Sequence, residues 1–251
     1  MTADALIEAL ALPPQAGVNQ RIPKKLLQEH GASTAADRKL IQEAVEEASW
    51  VAALKPGTVG VPVYRDDVRE YLEIAIVSLS LRSDTKLTRI AAMAHRAIPY
   101  PVVLVTSHAG RVALSLAHKR HSQAGSGRWV VDDVLTTDPF GDSCSAVETA
   151  FLDSLALAKQ PRTDLYATYQ GWASCVIALA AARITGAYDD SRSPATLEAR
   201  RKILDEFQRL ERETATLRAR AMKERQIGRR VELNLELRRL DARRTELLTT
   251  L

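Results

Sequence analysis

Residues 72–81 read Leu-Glu-Ile-Ala-Ile-Val-Ser-Leu-Ser-Leu. Apolar side chains occupy both alternating faces, which fits a strand buried on both sides better than one with a wet face. Such a strand needs layers above and below it, and the flanking segments supply them. Downstream, Leu87, Ile90, Ala91, Ala94 and Ile98 recur at helical spacing and predict a helix over 86–98. Tyr100-Pro-Val-Val-Leu-Val-Thr106 is a second buried strand, with Pro101 near its start, where a ladder donor can be spared. His108-Ala-Gly110 is a turn. Val112, Leu114 and Leu116 alternate with small residues in a third strand, and 128–135 form a fourth after a loop over 123–127. Upstream, 59–64 is rich in β-formers, and Asp66-Asp67 marks a turn before the 72–81 strand. The connections at 65–71 and within 107–127 are short, so the strands they join are expected to be antiparallel hairpins.

Further out, the pattern is helical. Thr34-Ala-Ala-Asp37 has the form of a capping box, with Asp in place of Glu or Gln. Ile41, Ala44, Ala48 and Val51 follow at helical spacing and predict a helix over 35–54, ended by Lys55-Pro56-Gly57. Before it, Pro23 and Gly31 bracket a short helix over 22–31. Lys24 and Lys25 fall in its first turn, where the helix dipole disfavours cations, so they are expected to face a partner or solvent. Ser145-Ala-Val-Glu148 is a second capping box, opening a helix that ends near Gln160-Pro161. Another runs from about 164 to 184 and stops at Gly186; its second half is apolar nearly all round, as in a buried helix.

After the polar residues 189–194, a charged tail begins at Thr196. Ile203, Leu210, Leu217, Glu224 and Val231 fall seven apart, with Phe207, Thr214 and Ala221 between them, an imperfect heptad series. Leu233, Leu237, Leu240, Leu247 and Leu251 carry a further apolar stripe. The tail is one long coiled-coil helix or a hairpin folding at Gln226-Ile-Gly-Arg229. The expected class is α+β: a mixed, largely antiparallel sheet of about five strands with flanking helices, then a helical pair and the tail. The corresponding boundaries are 1–143, 144–188 and 196–251.

An apolar share of 46% over 251 residues permits a real core and excludes a mainly disordered chain. The formal net charge is +4, but it is unevenly spread. Residues 196–251 hold 15 basic and 10 acidic side chains, leaving 20 basic and 21 acidic for the rest. Of the 35 basic residues, 26 are Arg, whose planar fork suits phosphate and carboxylate. Two cysteines, Cys144 and Cys175, make neither a disulfide framework nor a thiolate metal site. Asp4 and Glu8 stand where a signal peptide would be basic, and the most apolar run, 171–182, is too short to span a bilayer. A soluble cytoplasmic protein is expected, with no membrane partner.

Three parts of the chain carry a resemblance. They are Val18-Asn-Gln-Arg-Ile-Pro-Lys-Lys25; His95-Arg-Ala-Ile-Pro-Tyr-Pro-Val102 with Leu114-Ser-Leu-Ala-His-Lys-Arg120; and Lys223-Glu-Arg-Gln-Ile-Gly-Arg-Arg-Val-Glu-Leu-Asn234. In length and motif order the chain resembles a bacterial and archaeal family of unknown function. Members of that family tend to lie beside Swi/Snf-type helicase and DNA methyltransferase genes in antiphage defence and restriction islands. The resemblance implies a context and partners from the same operon, not a reaction, and it carries over no catalytic residues. Gly228 stands where that family is expected to hold Asn or another polar residue.

The residues themselves offer several chemistries. Asp66, Asp67, Glu70 and Glu73 are the acidic cluster that a divergent metal-dependent nuclease would use. Glu73 is followed by Ile-Ala, however, so the Glu-x-Lys half of such a site is missing. His118 and His121 are three apart and point to opposite faces of a strand, which disfavours a shared metal. Gly125-Ser-Gly127 matches no phosphate loop, Ser107 and Ser145 lack the setting of a nucleophile, and Cys144 could serve as one only if a histidine approached it. No cofactor and no metal is expected. Three basic sets stand out: Arg21, Lys24 and Lys25; His95 and Arg96; and His118, Lys119 and Arg120 with His121. If the 86–98 helix packs back on the sheet, the second and third share a rim able to hold phosphates. Aromatic residues are only 5% of the chain, which gives no expectation of a stacking platform.

One helix cannot bury the tail's seam alone, so Leu210, Leu217, Leu237 and Leu240, with Arg229, Arg230 and Asn234, are expected to meet a second layer. That layer is the tail itself, a second copy, or another protein. The expected function is an accessory, non-catalytic subunit of a DNA-directed defence or restriction system. It would assemble with a helicase, a DNA methyltransferase or both through its tail, with possible contact to the DNA backbone. The nuclease is the alternative.

Overall fold

A computed structural model of the chain describes residues 1–83, 86–122, 129–141, 143–191 and 194–248. It divides into two compact units, 1–176 and 177–251.

In the first unit, helix α1 (Ala3–Ala9) is capped by Thr2, whose Oγ1 accepts from Ala5 N. Strand β1 (Gly17–Arg21) leads into α2 (Lys24–Gly31) and α3 (Ala35–Ala44). The capping box before α3 is complete: Asp37 N donates to Thr34 Oγ1, and Thr34 N donates back to Asp37 Oδ2. Then come β2 (Val45–Leu54), the helical turn α4 (Pro56–Val59), the two-residue strands β3 (Tyr64–Arg65) and β4 (Glu70–Tyr71), and β5 (Ile74–Leu81). Helix α5 (Leu87–Ala97) crosses to β6 (Val102–His108), which turns into β7 (Arg111–Leu116). Strands β8 (Lys119–His121), β9 (Trp129–Val131) and β10 (Leu135–Thr136) follow, then α6 (Ala146–Ser154) and α7 (Leu165–Thr185), which continues into the second unit.

The main sheet has six strands in the order β1-β2-β5-β6-β7-β10. Its pairs are antiparallel except β5 with β6, which the α5 crossover makes parallel. The expected mixed, largely antiparallel α+β architecture is therefore present, with one strand more than expected. Strand β5 is buried on both faces, as its sequence required. Ala75, Val77, Leu79 and Leu81 of β5, with Val102 and Leu104 of β6, face a layer built from Leu27, Ile41, Ile90, Ala94 and their neighbours on α2, α3 and α5. Alternate residues turn to the other face. There Tyr169 of α7 ties into the sheet, donating its hydroxyl to Val102 O and accepting from Ala117 N. Both central residues of the β6–β7 turn, Ala109 and Gly110, have positive φ (47° and 75°), the twist that two-residue hairpin loops require.

Four expectations are corrected. The predicted 35–54 helix ends at Ala44, and 45–54 is a strand. Val45 already has extended backbone, and β2 gains ladders on both sides, from β1 and β5, which outweigh a marginal helical spacing. The β-rich 59–64 segment holds no long strand: Pro56 opens a helical turn that Gly60 closes in the left-handed region. The predicted 65–71 hairpin exists, but it joins only β3 and β4. The fourth strand expected over 128–135 is divided, since β9 pairs with β8 and β10 with β7. The loop expected at 123–127 lies outside the described residues.

In the second unit, the tail is a hairpin of α8 (Pro194–Lys223) and α9 (Ile227–Leu248). At 1.5 Å per residue α8 is about 45 Å long. Phe207, Leu210, Thr214, Leu217 and Ala221 are buried along α8, following the heptad series. Phe207 and Leu210 pack with Leu247, joined by Ile184, Ile203 and Leu240. Arg218 of α8 reaches Asp241 of α9 at 3.5 Å. The break falls at 224–226, so Glu224 leaves the seam and Gly228 sits in the first turn of α9 instead of in the bend. Leu251 lies outside the described residues.

Candidate functional site

A cavity of about 790 Å³ opens in the first unit beside α2, β2, the C-terminal end of α5 and the β8–β9 hairpin. Two sequence features make it. Gly31 allows α2 to cross α5 in close contact: a Cβ there would lie 2.3 Å from the Met93 carbonyl oxygen. The second is Ile98-Pro-Tyr-Pro101. A proline pushes the residue before it out of helical space, and Ile98 is extended at φ −98°, ψ 126°. The Ile98 and Tyr100 carbonyls are thereby free to accept hydrogen bonds from Lys119 Nζ.

Lys119 is 1% exposed. Burial pulls its ammonium down to about 7, although two carbonyl acceptors favour the charged form. Near neutral pH it is therefore a donor that can hold or lose its third proton. His95 is fully buried on α5; its Nε2 lies 3.0 Å from Ser115 Oγ, and its Nδ1 has no partner among the described residues. Burial first, and the nearby Lys119 charge second, pull it to about 3, so the ring is neutral at neutral pH. Arg96, on the exposed side of α5, donates to Ser33 Oγ at 3.2 Å.

Apolar walls surround these groups. Ile22, Leu26, Ile98 and Val131 line the cavity with two half-buried tryptophans, Trp50 and Trp129. Trp50 is fixed by donation from Nε1 to Ala52 O and lies 6.0 Å from the Tyr100 ring. Trp129 packs on His121 with ring centroids 4.2 Å apart. In the β8–β9 register Lys119 faces Val131 and His121 faces Trp129. Strand alternation puts these four on one side of the hairpin and Arg120 on the other.

Of the basic sets, the structure therefore brings His95, Arg96 and Lys119 together. His118 instead meets the Tyr71 hydroxyl and Gln170 Oε1, within a cluster of tyrosines that includes Tyr166 and Tyr169. Arg120 pairs with Asp132 at 3.1 Å, as does Arg69 at 3.0 Å. Arg21 and Lys24 line a separate depression beside Glu46 and Glu47, and Lys25 faces solvent near Glu29 at 3.7 Å. No sequence signal marks Trp50 or Trp129 for the cavity: Trp50 falls within the 35–54 segment of helical spacing, and Trp129 borders the 123–127 loop.

The four carboxylates do not converge. Asp66 closes its turn, accepting from Tyr64 Oη at 2.5 Å and Val68 N at 2.8 Å, and these bonds hold its carboxyl below the usual range. Glu70 pairs with Arg65, and the nearly buried Glu73 with Lys55 at 2.8 Å. Asp67 is exposed. Among the described residues no group of three or more His, Cys, Asp or Glu is placed to hold a metal.

The second unit offers a different surface. Leu210 and Leu217 are buried in the hairpin, Leu237 and Leu240 are half-buried, and Arg229, Arg230 and Asn234 are exposed. Around the bend, Met222 is 89% exposed, Ile227 74%, Val231 52% and Leu235 51%. The last three are four residues apart, so they share one side of α9. A shallow depression beside them is lined by Arg218, Met222, Arg230 and Asn234. Among the described residues Arg225, Arg229 and Arg230 make no ion pair.

Among the described residues no helix is long and apolar enough to cross a membrane. Neither the curated proteins nor the solved structures contain a match to the chain. A family model described as a domain of unknown function, DUF4391, matches residues 10–243, which take in the cavity and most of the hairpin. The chain belongs to the DUF4391 family.

Proposed function

We propose that this chain is a non-catalytic assembly subunit of a DNA-directed antiphage defence or restriction system. It joins a helicase, a DNA methyltransferase or both from the same operon through the tip of its C-terminal hairpin. The observation that carries this reading is the row Ile227, Val231 and Leu235 on α9, left in water after the bend, with Met222 of α8 exposed before it. A soluble protein gains by burying such a row, at roughly 1.5–3 kcal/mol per side chain before the cost of association. The row falls within 222–235, and the third motif of the family resemblance is 223–234. The defence and restriction context comes from that resemblance. Arginines at the apolar tip suit an interface, where Arg is enriched, and they also attract DNA phosphates.

The test is co-expression of the tagged chain with its neighbouring helicase and methyltransferase, followed by size-exclusion chromatography. The wild-type chain is expected to elute with one or both. The double variant Ile227→Glu, Val231→Glu is expected to elute alone with unchanged helicity. A wild-type chain that elutes without them, with or without DNA, overturns the reading. So does a double variant that still co-elutes.

A further inference from the structure

We infer that the cavity of the first unit is a nucleotide site, with a nucleobase against Trp50 and Trp129, its polar edge on Lys119, and its phosphate at Arg96. The inference is independent of the hairpin and of the assembly role.

The size is suitable: about 790 Å³ lies inside the range of small-molecule sites. The walls narrow the ligand further. Two of the chain's three tryptophans line this one cavity, and both are half-buried. Aromatic faces of this kind stack on flat heteroaromatic rings without regard to sequence. The low aromatic share of the whole chain conceals this local concentration.

The polar groups exclude a plain hydrocarbon. Lys119 has three N–H bonds as an ammonium, and the Ile98 and Tyr100 carbonyls take two. One donor position is left over on a side chain that lines the cavity. His95 lines the same cavity, but its ring is closed to solvent: Nε2 is engaged by Ser115, and Nδ1 is buried. The spare Lys119 donor, next to aromatic walls, complements a carbonyl acceptor on the edge of a nucleobase. Arg96 adds an exposed guanidinium at the same cavity, a fork suited to phosphate. The acid lining the cavity, Glu29, lies 3.7 Å from Lys25.

Two sources share this chemistry: a free nucleotide and a nucleotide within a single strand. Calorimetric titration of the full chain separates them. The probes are AMP, GMP, CMP and UMP, their nucleosides, and single-stranded DNA of about 12 nucleotides. At least one monophosphate is expected to bind, with its nucleoside about tenfold weaker. Trp129→Leu and Lys119→Met are each expected to weaken both by about tenfold or more. Arg96→Gln is expected to reduce the monophosphate to the affinity of the nucleoside while leaving the nucleoside unchanged. Should Lys119→Met fail to fold, Trp129→Leu and the exposed Arg96→Gln still decide. A strand that binds and is displaced by the monophosphate identifies nucleic acid as the source; binding of the monophosphate alone identifies a free nucleotide. The inference is overturned if no monophosphate, nucleoside or strand binds at millimolar concentration. It is equally overturned if binding is unaffected by the folded variants.

Discussion

Lys119 and Met222 are placed in opposite ways. The lysine is 1% exposed in the first unit, and the methionine is 89% exposed at the hairpin bend. Ordinary packing reverses both. The first unit tolerates a buried cation because prolines present two carbonyls to it and a cavity lies beside it. The hairpin leaves an apolar row exposed on α9 although its seam is filled along α8 from Phe207 to Ala221. The first unit thus holds a polar group in an apolar wall, and the second leaves apolar groups in water.

Substitutions break this comparison in order of expected size. The two glycines Gly31 and Gly228 mark its extremes. A Cβ on Gly31 meets the Met93 backbone, whereas one on Gly228 meets nothing within 4 Å. Gly31→Ala is expected to cost about 3 kcal/mol in urea unfolding, because the clash is with backbone that must move. A loss under 1 kcal/mol would show that α2 and α5 are less closely set than described.

Next comes the pH dependence of Lys119. Its proton-binding constant is lowered in the folded state, to about 7 from 10.5. The unfolded chain therefore binds the extra proton between these values, and stability rises with pH across that window. Between pH 6 and 9 the wild-type chain is expected to gain about 2–3 kcal/mol from this group. In Lys119→Met that gain is expected to vanish. Urea midpoints at the two pH values read this directly, and parallel curves for both proteins would contradict the burial of a titrating amine. His95, held to about 3 from 6.5, has the same sign but acts between those values, mostly below this window.

The hairpin variants should do less to the free protein. Ile227→Glu with Val231→Glu is expected to change stability by no more than about 0.5 kcal/mol, since both side chains are exposed. A larger loss would mean that the row is packed in solution. Smallest is Gly228→Ala, expected to stabilise by only about 0.3 kcal/mol, since the position lies in the first turn of α9, measured by thermal unfolding.

Much of this frame is legible in the residues. Both capping boxes, the doubly buried β5, the turn at Ala109-Gly110 and the stop at Gly186 follow from local chemistry. Strand β2 does not. Its ten residues carry a usable helical spacing, and only pairing with β1 and β5 decides the matter. The site was half-visible for a related reason. His118, Lys119 and Arg120 read as one basic set, yet neighbouring residues on an extended chain turn opposite ways. Which of them enters the cavity depends on where α5 and the β8–β9 hairpin lie. The helical spacing over 35–54 conceals Trp50, and with it the aromatic wall. In the tail the heptad series located the seam along α8, but the exposure at the bend depends on where the helix breaks.

Amide hydrogen exchange, followed with and without the proposed partners, a helicase and a DNA methyltransferase, tests the proposed assembly role most directly. Residues 222–235 are expected to exchange markedly more slowly in the complex, with the cavity residues little changed. Unchanged exchange over 222–235 in the presence of those proteins would contradict it.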